Sequence, residues 1–193
     1  MPCREEETSV FWIETDQELA DAVASWENCV GLDTEFIRTD TFYPIPGLYQ
    51  VASADQVFLI DPLTIEDWQP FSTFLMDPKT LIVMHACQED LEMLNHHLKV
   101  QPTSVVDTQF AHAFTGVDYS LSYANLVRRT IGVELHKQET RSNWLQRPLS
   151  EEQLTYAADD VIYLVRMYQA LRERMLGGGR LSWFDEDMSI RGR

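Results

Sequence analysis

Asp33 and Glu35 stand two residues apart in the segment GLDTEF, at the end of an apolar run. Because side chains alternate between the two faces of a strand, this spacing places both carboxylates on one face of a sheet. Two carboxylates this close repel each other unless one is protonated or a cation lies between them. The pair therefore indicates a metal site, although an isolated pair of this kind is more often a solvated strand end.

Two further acidic residues fall in segments that are predicted to be helical. Asp90 lies in MHACQEDLEML, where an apolar strand gives way to a helix, and a lone acid there commonly complements the positive end of the helix dipole. Tyr156 and Asp160 are four residues apart in TYAADDVIYL and so share one helix face. Asp159 is off that face, and the spacing assigns it to solvent. A tyrosine and an acid in this arrangement are also common as a simple hydrogen-bonded pair.

The elements that must position these residues are those of an α/β domain. The apolar runs CVGLD, LYQVAS, VFLID and LIVMHA have the length and composition of buried strands. Pro44, Pro46 and Gly47 predict a turn or loop between the first acidic motif and the next strand, so we expect the sheet to begin with a meander.

Helices are predicted between the strands and, in the second half of the chain, over LSYANLVRRTIG and from residue 150, with the polar segment HKQETRSNWLQRP as a loop between these two. Capping-box spacing predicts three helix starts, at the pairs Thr15 and Glu18, Thr64 and Asp67, and Ser150 and Gln153. The last of these opens one long helix over residues 150–175, which the three glycines at 177–179 bring to an end. We expect the remaining residues to form a short appendage.

Length and composition predict one intracellular domain. A chain of 193 residues with 45% hydrophobic content can bury a single core, which we assign to residues 1–176, with a tail at 177–193. Cys3, Cys29 and Cys87 form no CxxC pair, so neither a disulfide framework nor a zinc site is indicated. This cysteine pattern predicts a reducing cytoplasm, and an acidic N-terminus and the lack of a long apolar run predict a protein that is neither exported nor membrane-spanning.

The net charge of −16 argues against a nucleic-acid partner, because such binding normally uses a basic patch that releases counterions. However, carboxylates that bind divalent cations are counted here as bare negative charges. Between residues 128 and 147, moreover, five basic residues outnumber the two acidic ones, Glu134 and Glu139; the basic residues are Arg128, Arg129, Lys137, Arg141 and Arg147. This cluster predicts a basic strip on an acidic body, with a solvated surface as the alternative.

The combination of these motifs resembles the DEDD exonuclease superfamily, in the branch that has tyrosine in its last motif. An acidic pair on an early strand is followed about 55 residues later by an Asp at the start of a helix, and then by YxxxD on a late helix. Longer segments look like ribonuclease D from about residue 11 to the end: DTEFIRTDTFYP, GLYQV, LIDPL, HACQEDLEML, VVDTQFAHAF, SNWLQRPLSEEQLTYAADDVIYL and WFDEDM.

The resemblance implies a ribonuclease-H-like fold, in which helices flank a mixed sheet, and two magnesium or manganese ions. It also implies 3′→5′ removal of mononucleotides from RNA ends, such as those of transfer RNA precursors. We assign Asp33 to both ions, Glu35 and Asp160 to the ion that activates water, and Asp90 to the second ion through water. Tyr156, with an ordinary pKa near 10, is expected to orient the attacking water rather than to remove its proton.

Four further residues are candidates for contact with the substrate or the metal ligands. Phe36 is placed to stack on the terminal base, and hydrogen bonds are expected from Gln50, His85 and Lys137. For each of them, a packing or surface role is the alternative.

Two other functions remain open at this level. The same chemistry would act on single-stranded DNA, because the ions act on the phosphodiester. An inactive nucleic-acid-binding module is the other, although it would be expected to have lost part of the acidic set. Ribonuclease D proteins carry helical HRDC-type domains after the exonuclease domain, and this chain stops shortly after the position where those domains begin. We therefore expect a short form or part of a longer protein.

Overall fold

A computed structural model describes residues 8–38, 43–116, 120–135 and 142–191 of the protein. Its centre is a six-stranded sheet in the order β1-β4-β3-β2-β5-β6. The strands are β1 (Ser9–Ile13), β2 (Cys29–Ile37), β3 (Ile45–Ser53), β4 (Gln56–Ile60), β5 (Leu81–Met84) and β6 (Val105–Asp107). The eight helices in the described ranges are α1 (Asp16–Ser25), α2 (Gln69–Met76), α3 (Gln88–Leu98), α4 (Thr108–Ala113), α5 (Tyr123–Ile131), α6 (Glu151–Ile162), α7 (Leu164–Gly177) and α8 (Leu181–Arg191).

The sheet is mixed, and its antiparallel part is the predicted meander of β2, β3 and β4. The outer strands are parallel to their neighbours: β1 pairs with β4, β5 with β2, and β6 with β5. Neither β1 nor β6 was among the predicted strands. β6 has three residues and most of β1 is exposed, so neither carries the continuous apolar run of a buried strand.

Each face of the sheet is covered by its own helices. One apolar cluster includes Leu48, Val83, Val161 and Leu171 and packs the sheet against α4 to α8. The other includes Tyr49, Phe71 and Met93 and lies under α1, α2 and α3. This layering matches the predicted α/β architecture. In the described part of the chain, no helix has the length and apolarity needed to cross a bilayer.

Two of the three predicted capping boxes are present, at Thr15 with Glu18 and at Ser150 with Gln153. The third, at Thr64 and Asp67, was wrong. Helix α2 begins later, after Trp68, and has no side-chain cap. The hydroxyl of Thr64 donates instead to the Asp61 carbonyl at 3.4 Å, because this threonine lies in a turn.

The C-terminal region differs from the single long helix that was predicted. Helices α6 and α7 are separated at Tyr163, although the apolar spacing runs through that residue without a break. The segment after the glycines was expected to be an appendage, but it forms α8. Phe184 in α8 is 1% exposed and packs edge-on against Phe114 with 5.4 Å between ring centroids. Residues beyond the glycines therefore contribute to the hydrophobic core.

Candidate active site

Strand β2 carries Asp33 and Glu35 on the sheet face that α6 and α7 cover. Gly31 lies on the same face, two residues before Asp33, and a Cβ there would come within 2.8 Å of the Val161 carbonyl oxygen. The absence of a side chain at Gly31 thus lets the junction of α6 and α7 approach the strand backbone directly. This close approach brings Asp160, at the end of α6, to the acidic pair.

Carboxylate oxygens of Asp33, Glu35 and Asp160 all lie within 4.8 Å of one another. Tyr156, one turn before Asp160, has its hydroxyl close enough to donate a hydrogen bond to the Asp160 carboxylate. The i, i+4 spacing had predicted that these two residues share a face. Asp159 had been assigned to solvent, but it is half-buried, and its charge contributes to raising the pKa of Asp160.

The carboxyl groups of this cluster are desolvated and repel one another. Burial, followed by the charges of Asp90, Asp160 and Glu35, raises the pKa of Asp33 well above its ordinary value. Burial, and then Asp160 and Asp90, raise the pKa of Glu35 to about 9. A bound cation would favour the ionised forms of these carboxyl groups and so oppose the rise in their pKa values.

Asp90 lies beside this group but not among the three carboxylates that converge. Its carboxylate accepts a hydrogen bond from the Thr34 hydroxyl. Thr34 lies on one face of β2, whereas Asp33 and Glu35 lie on the other. The pKa of Asp90 is raised to about 6, since burial outweighs the opposing hydrogen bonds from Thr34 and from the backbone. The position agrees with a ligand that acts through water, and the assignment of Asp90 to one ion stays a prediction.

The turn that presents Asp90 is held by Asp107, which sequence reasoning did not single out. Its carboxylate accepts from the backbone N–H of Ala86 at 2.9 Å and of Cys87 at 3.3 Å. It also accepts from the N–H of Gln109 at 2.8 Å and so caps α4. One side chain at the end of β6 therefore joins the start of α4 to the start of α3.

Tyr123 in α5 is a second residue that the sequence analysis missed. Its hydroxyl donates to the Asp159 carbonyl at 2.9 Å, next to Asp160. Burial, and then the charges of Asp160 and Asp33, raise the pKa of this phenol well above its ordinary value, so the hydroxyl remains a donor. Nothing in LSYANLV distinguished this tyrosine from a residue that only fills the core.

The four secondary candidates have different surroundings. Phe36 is half-buried and packs against the apolar cluster under α1 to α3. Gln50 is fully buried at 0% exposure. His85 has both ring nitrogens engaged, Nδ1 with the Thr108 hydroxyl at 2.9 Å and Nε2 with the Leu121 carbonyl at 3.1 Å. Lys137 lies outside the described residues. A substrate contact by any of these residues stays a prediction.

Arg147, one of the five residues of the predicted basic strip, is engaged in contacts within the protein. The Arg147 guanidinium forms an ion pair with Asp61 and donates to the Gly47 carbonyl at 2.8 Å, so its charge is used inside the protein. Lys137 and Arg141 lie outside the described residues. The strip as a surface for nucleic acid therefore stays a prediction that rests on fewer residues.

The chemistry of the donor set fits divalent cations. Magnesium and manganese prefer carboxylate oxygens and water, and the cluster offers oxygens from three residues at ligand distance from one centre. The mutual repulsion of these half-buried carboxylates gives a cation a large electrostatic advantage at this point. The residues that would hold the ions are Asp33, Glu35 and Asp160, with Asp90 beside them.

The sequence matches the family described as 3′-5′ exonuclease over residues 10–176. The chain belongs to this family. Ribonuclease D from Pseudomonas paraeruginosa is 46% identical over 180 residues, which cover 92% of this chain and 48% of that protein. Ribonuclease D from Serratia proteamaculans is 48% identical over 142 residues, which cover 74% of this chain and 38% of that protein. The chain thus spans about half the length, or less, of these curated relatives.

Two solved structures share the fold of this chain. The crystal structure of Escherichia coli RNase D, described as an exoribonuclease involved in structured RNA processing, superposes with a TM-score of 0.85 at 39% identity. The match covers 95% of this chain and 50% of that one. The catalytic core of RRP6 from Trypanosoma brucei has a TM-score of 0.86 at 22% identity, which shows the fold alone. The predicted ribonuclease-H-like architecture is confirmed.

Proposed function

We propose that this chain is a 3′→5′ exoribonuclease that removes mononucleotides from RNA 3′ ends by hydrolysis of the phosphodiester. The observation that carries the proposal is the convergence of three carboxylates within 4.8 Å, with the Tyr156 hydroxyl beside Asp160. Membership of the 3′-5′ exonuclease family and the similarity to ribonuclease D support the choice of RNA and the polarity. An inactive module would not need half-buried carboxylates that repel one another.

The cofactors in this proposal are two divalent cations, magnesium or manganese. When bound, they supply activation of the attacking water and stabilisation of the charge on the departing 3′ oxygen. Asp33 would contribute to both positions, because the charges of Asp90, Asp160 and Glu35 all act on its carboxyl group. Glu35 and Asp160 would hold the ion on the side of the attacking water, and Asp90 the other through water.

Tyr156 has a defined role in this scheme. Burial, and then the nearby charges of Asp160 and Glu35, raise the pKa of its hydroxyl far above neutrality. The hydroxyl is therefore a permanent donor and cannot remove a proton at physiological pH. It orients the Asp160 carboxylate and, through the same oxygen, the water that attacks the phosphorus.

The substrate class is an RNA with a free 3′ hydroxyl, and transfer RNA precursors are the natural substrates that we propose. One neighbouring structure, ribonuclease D from Trypanosoma brucei, is a complex with RNA U12 at 26% identity and a TM-score of 0.74. Phe36 would stack on the terminal base, as base–aromatic stacking tolerates any sequence. A cytoplasmic location, inferred from the cysteine pattern, belongs to the same proposal.

The proposal is tested with matched RNA and DNA oligonucleotides labelled at the 5′ end, in manganese and in EDTA. We expect a ladder of products shortened from the 3′ end, with RNA degraded faster and no cleavage in EDTA. A 3′-phosphate should block the reaction, and Asp33→Asn should abolish it. Faster degradation of DNA would show that DNA is the preferred substrate. Release of nucleotides from the 5′ end would contradict the proposed 3′→5′ polarity.

The transfer RNA assignment needs its own comparison. A transfer RNA precursor with a few extra 3′ nucleotides is offered beside an unstructured RNA with the same 3′ sequence. We expect shortening of the precursor to stop near the end of the mature molecule. Degradation of both RNAs to completion at equal rates would remove transfer RNA precursors from the proposal and leave the exonuclease activity intact.

A further inference from the structure

Gln50 is a buried polar side chain without a hydrogen-bond partner. It is 0% exposed, and neither its Oε1 nor its Nε2 has a partner among the described residues. A primary amide buried in this way costs free energy, because the hydrogen bonds it makes to water in the unfolded chain are not replaced. A methionine or leucine would fill the same space without that cost.

The strand pairing shows what Gln50 faces. Gln50 in β3 lies directly opposite Asp33 in β2, so both side chains extend from the same face of the sheet. On its other side Gln50 is opposite Leu59 in β4. Its same-face neighbours along β3 are Leu48 and Ala52. Of these four adjacent side chains, only that of Asp33 is polar.

Burial favours a contact of Gln50 inside the protein over a contact with the substrate. Its side chain has no exposed surface, and Leu48 and Leu59 are buried beside it. Paired side chains on adjacent antiparallel strands have Cβ atoms about 4.5–5.5 Å apart, so a glutamine amide can reach the carboxylate of its partner. The amide without a hydrogen-bond partner and the Asp33 carboxylate are therefore cross-strand neighbours.

We propose that Gln50 is a positioning residue for Asp33, whose Nε2 donates a hydrogen bond to the Asp33 carboxylate in the metal-loaded protein. This inference rests on the proposed function, in which Asp33 contributes to both cation positions. A carboxylate that binds two cations must hold one orientation, and a neutral donor fixes that orientation without competing as a charge. Hydrogen bonds to metal-ligating carboxylates typically contribute a factor of about 10 to 100 in metal affinity or activity.

The test compares Gln50→Met with Leu59→Met. Gln50→Met keeps the length of the side chain and removes both hydrogen-bonding atoms. Leu59→Met changes packing at the position directly opposite Gln50 and leaves the amide in place. Each protein is titrated with Mn²⁺ by calorimetry, its thermal midpoint is measured in EDTA, and its KM for an RNA oligonucleotide is determined at a saturating Mn²⁺ concentration.

For Gln50→Met we expect Mn²⁺ affinity to fall by about 10- to 100-fold. Its KM should stay within about twofold of the parent value, and its thermal midpoint in EDTA should be equal or higher, because an unsatisfied amide has been removed. Leu59→Met should bind Mn²⁺ like the parent. These results together would separate a positioning role from a packing role.

Three results would overturn the inference. Parental Mn²⁺ affinity in Gln50→Met would show that Asp33 does not use the amide. An equal loss of affinity in Leu59→Met would assign the effect to packing, and a raised KM with unchanged Mn²⁺ affinity would assign Gln50 to the substrate. Failure of the parent protein itself to bind Mn²⁺ would instead reject the proposed function, and the inference with it.

Discussion

Arg147 and Asp61 form a bidentate ion pair although they are 86 residues apart, with Nε 2.7 Å from Oδ2 and Nη2 2.6 Å from Oδ1. The same guanidinium donates to the carbonyls of Trp144 at 2.9 Å and Gly47 at 2.8 Å. It thereby fastens the segment before α6 onto β3 and β4. A Cβ at Gly47 would lie 2.5 Å from the Cβ of Trp144, so this contact requires glycine.

This arrangement predicts that Arg147 contributes strongly to stability. Arg147→Ala leaves the Asp61 carboxylate, which is 4% exposed, without its partner. We expect the free energy of unfolding in urea to fall by about 3 kcal/mol, as is typical when one member of a buried pair is removed. The control is Arg172→Ala, whose pair with Asp185 is exposed and should contribute less than about 1 kcal/mol. Equal losses in both variants would contradict the prediction.

The hydroxyl of Tyr156 should matter for the rate and not for the fold. Tyr156→Phe keeps the ring, which packs near Trp144 with 6.1 Å between centroids. We expect the single-turnover rate to fall by about 10²-fold and Mn²⁺ affinity to change much less, because the Asp160 carboxylate is kept and the hydroxyl that orients the attacking water is lost. Asp160→Asn should instead weaken Mn²⁺ binding in calorimetry. A parental rate in Tyr156→Phe would make this tyrosine structural.

The hydrogen bond from Thr34 should hold the Asp90 carboxylate in the orientation that the reaction needs. Thr34→Val keeps the branched shape and removes the hydroxyl that donates to Asp90. We expect a rate loss of about tenfold or more, as is usual when the support of a metal-ligating carboxylate is removed. Thr34→Ser, which retains a donor, should recover most of the rate. Equal rates in the valine and serine variants would show that the hydroxyl has no part in the reaction.

The stability of the metal-free protein should depend on pH through the acidic cluster. The pKa of Glu35 is raised to about 9 and that of Asp160 to about 6, with burial the largest cause in both cases. In the unfolded chain the pKa values of these groups are about 4. Because the folded state binds their protons more tightly, this stabilisation is complete below about pH 4 and is lost as the pH rises through the folded pKa values.

We therefore expect the thermal midpoint in EDTA to fall between about pH 5 and pH 9. Glu35→Gln should flatten the part of the fall above about pH 7, since it removes the group with the highest of these pKa values. Addition of Mn²⁺ at pH 8 should raise the midpoint, because the cation replaces the protons. A midpoint that rises from pH 5 to pH 9 in EDTA would contradict the assignment.

The sequence by itself determined the parts of this protein that depend on local periodicity. Alternation along β2 places Asp33 and Glu35 on one face, and the helical repeat places Tyr156 and Asp160 on one face, whatever surrounds them. The strands β2 to β5 were predicted because each carries a continuous apolar run. The family motifs then indicated that these local pairs belong to one site.

Only the tertiary structure decided which of these local features meet. The contact of Thr34 with Asp90, the pair of Arg147 with Asp61, and the register of Gln50 against Asp33 join residues between 17 and 86 positions apart. Phe184 of α8 is buried because it packs against three other aromatic residues that are distant in sequence. Such contacts depend on how whole elements pack, and packing is selected by the total buried surface rather than by any pattern within one segment.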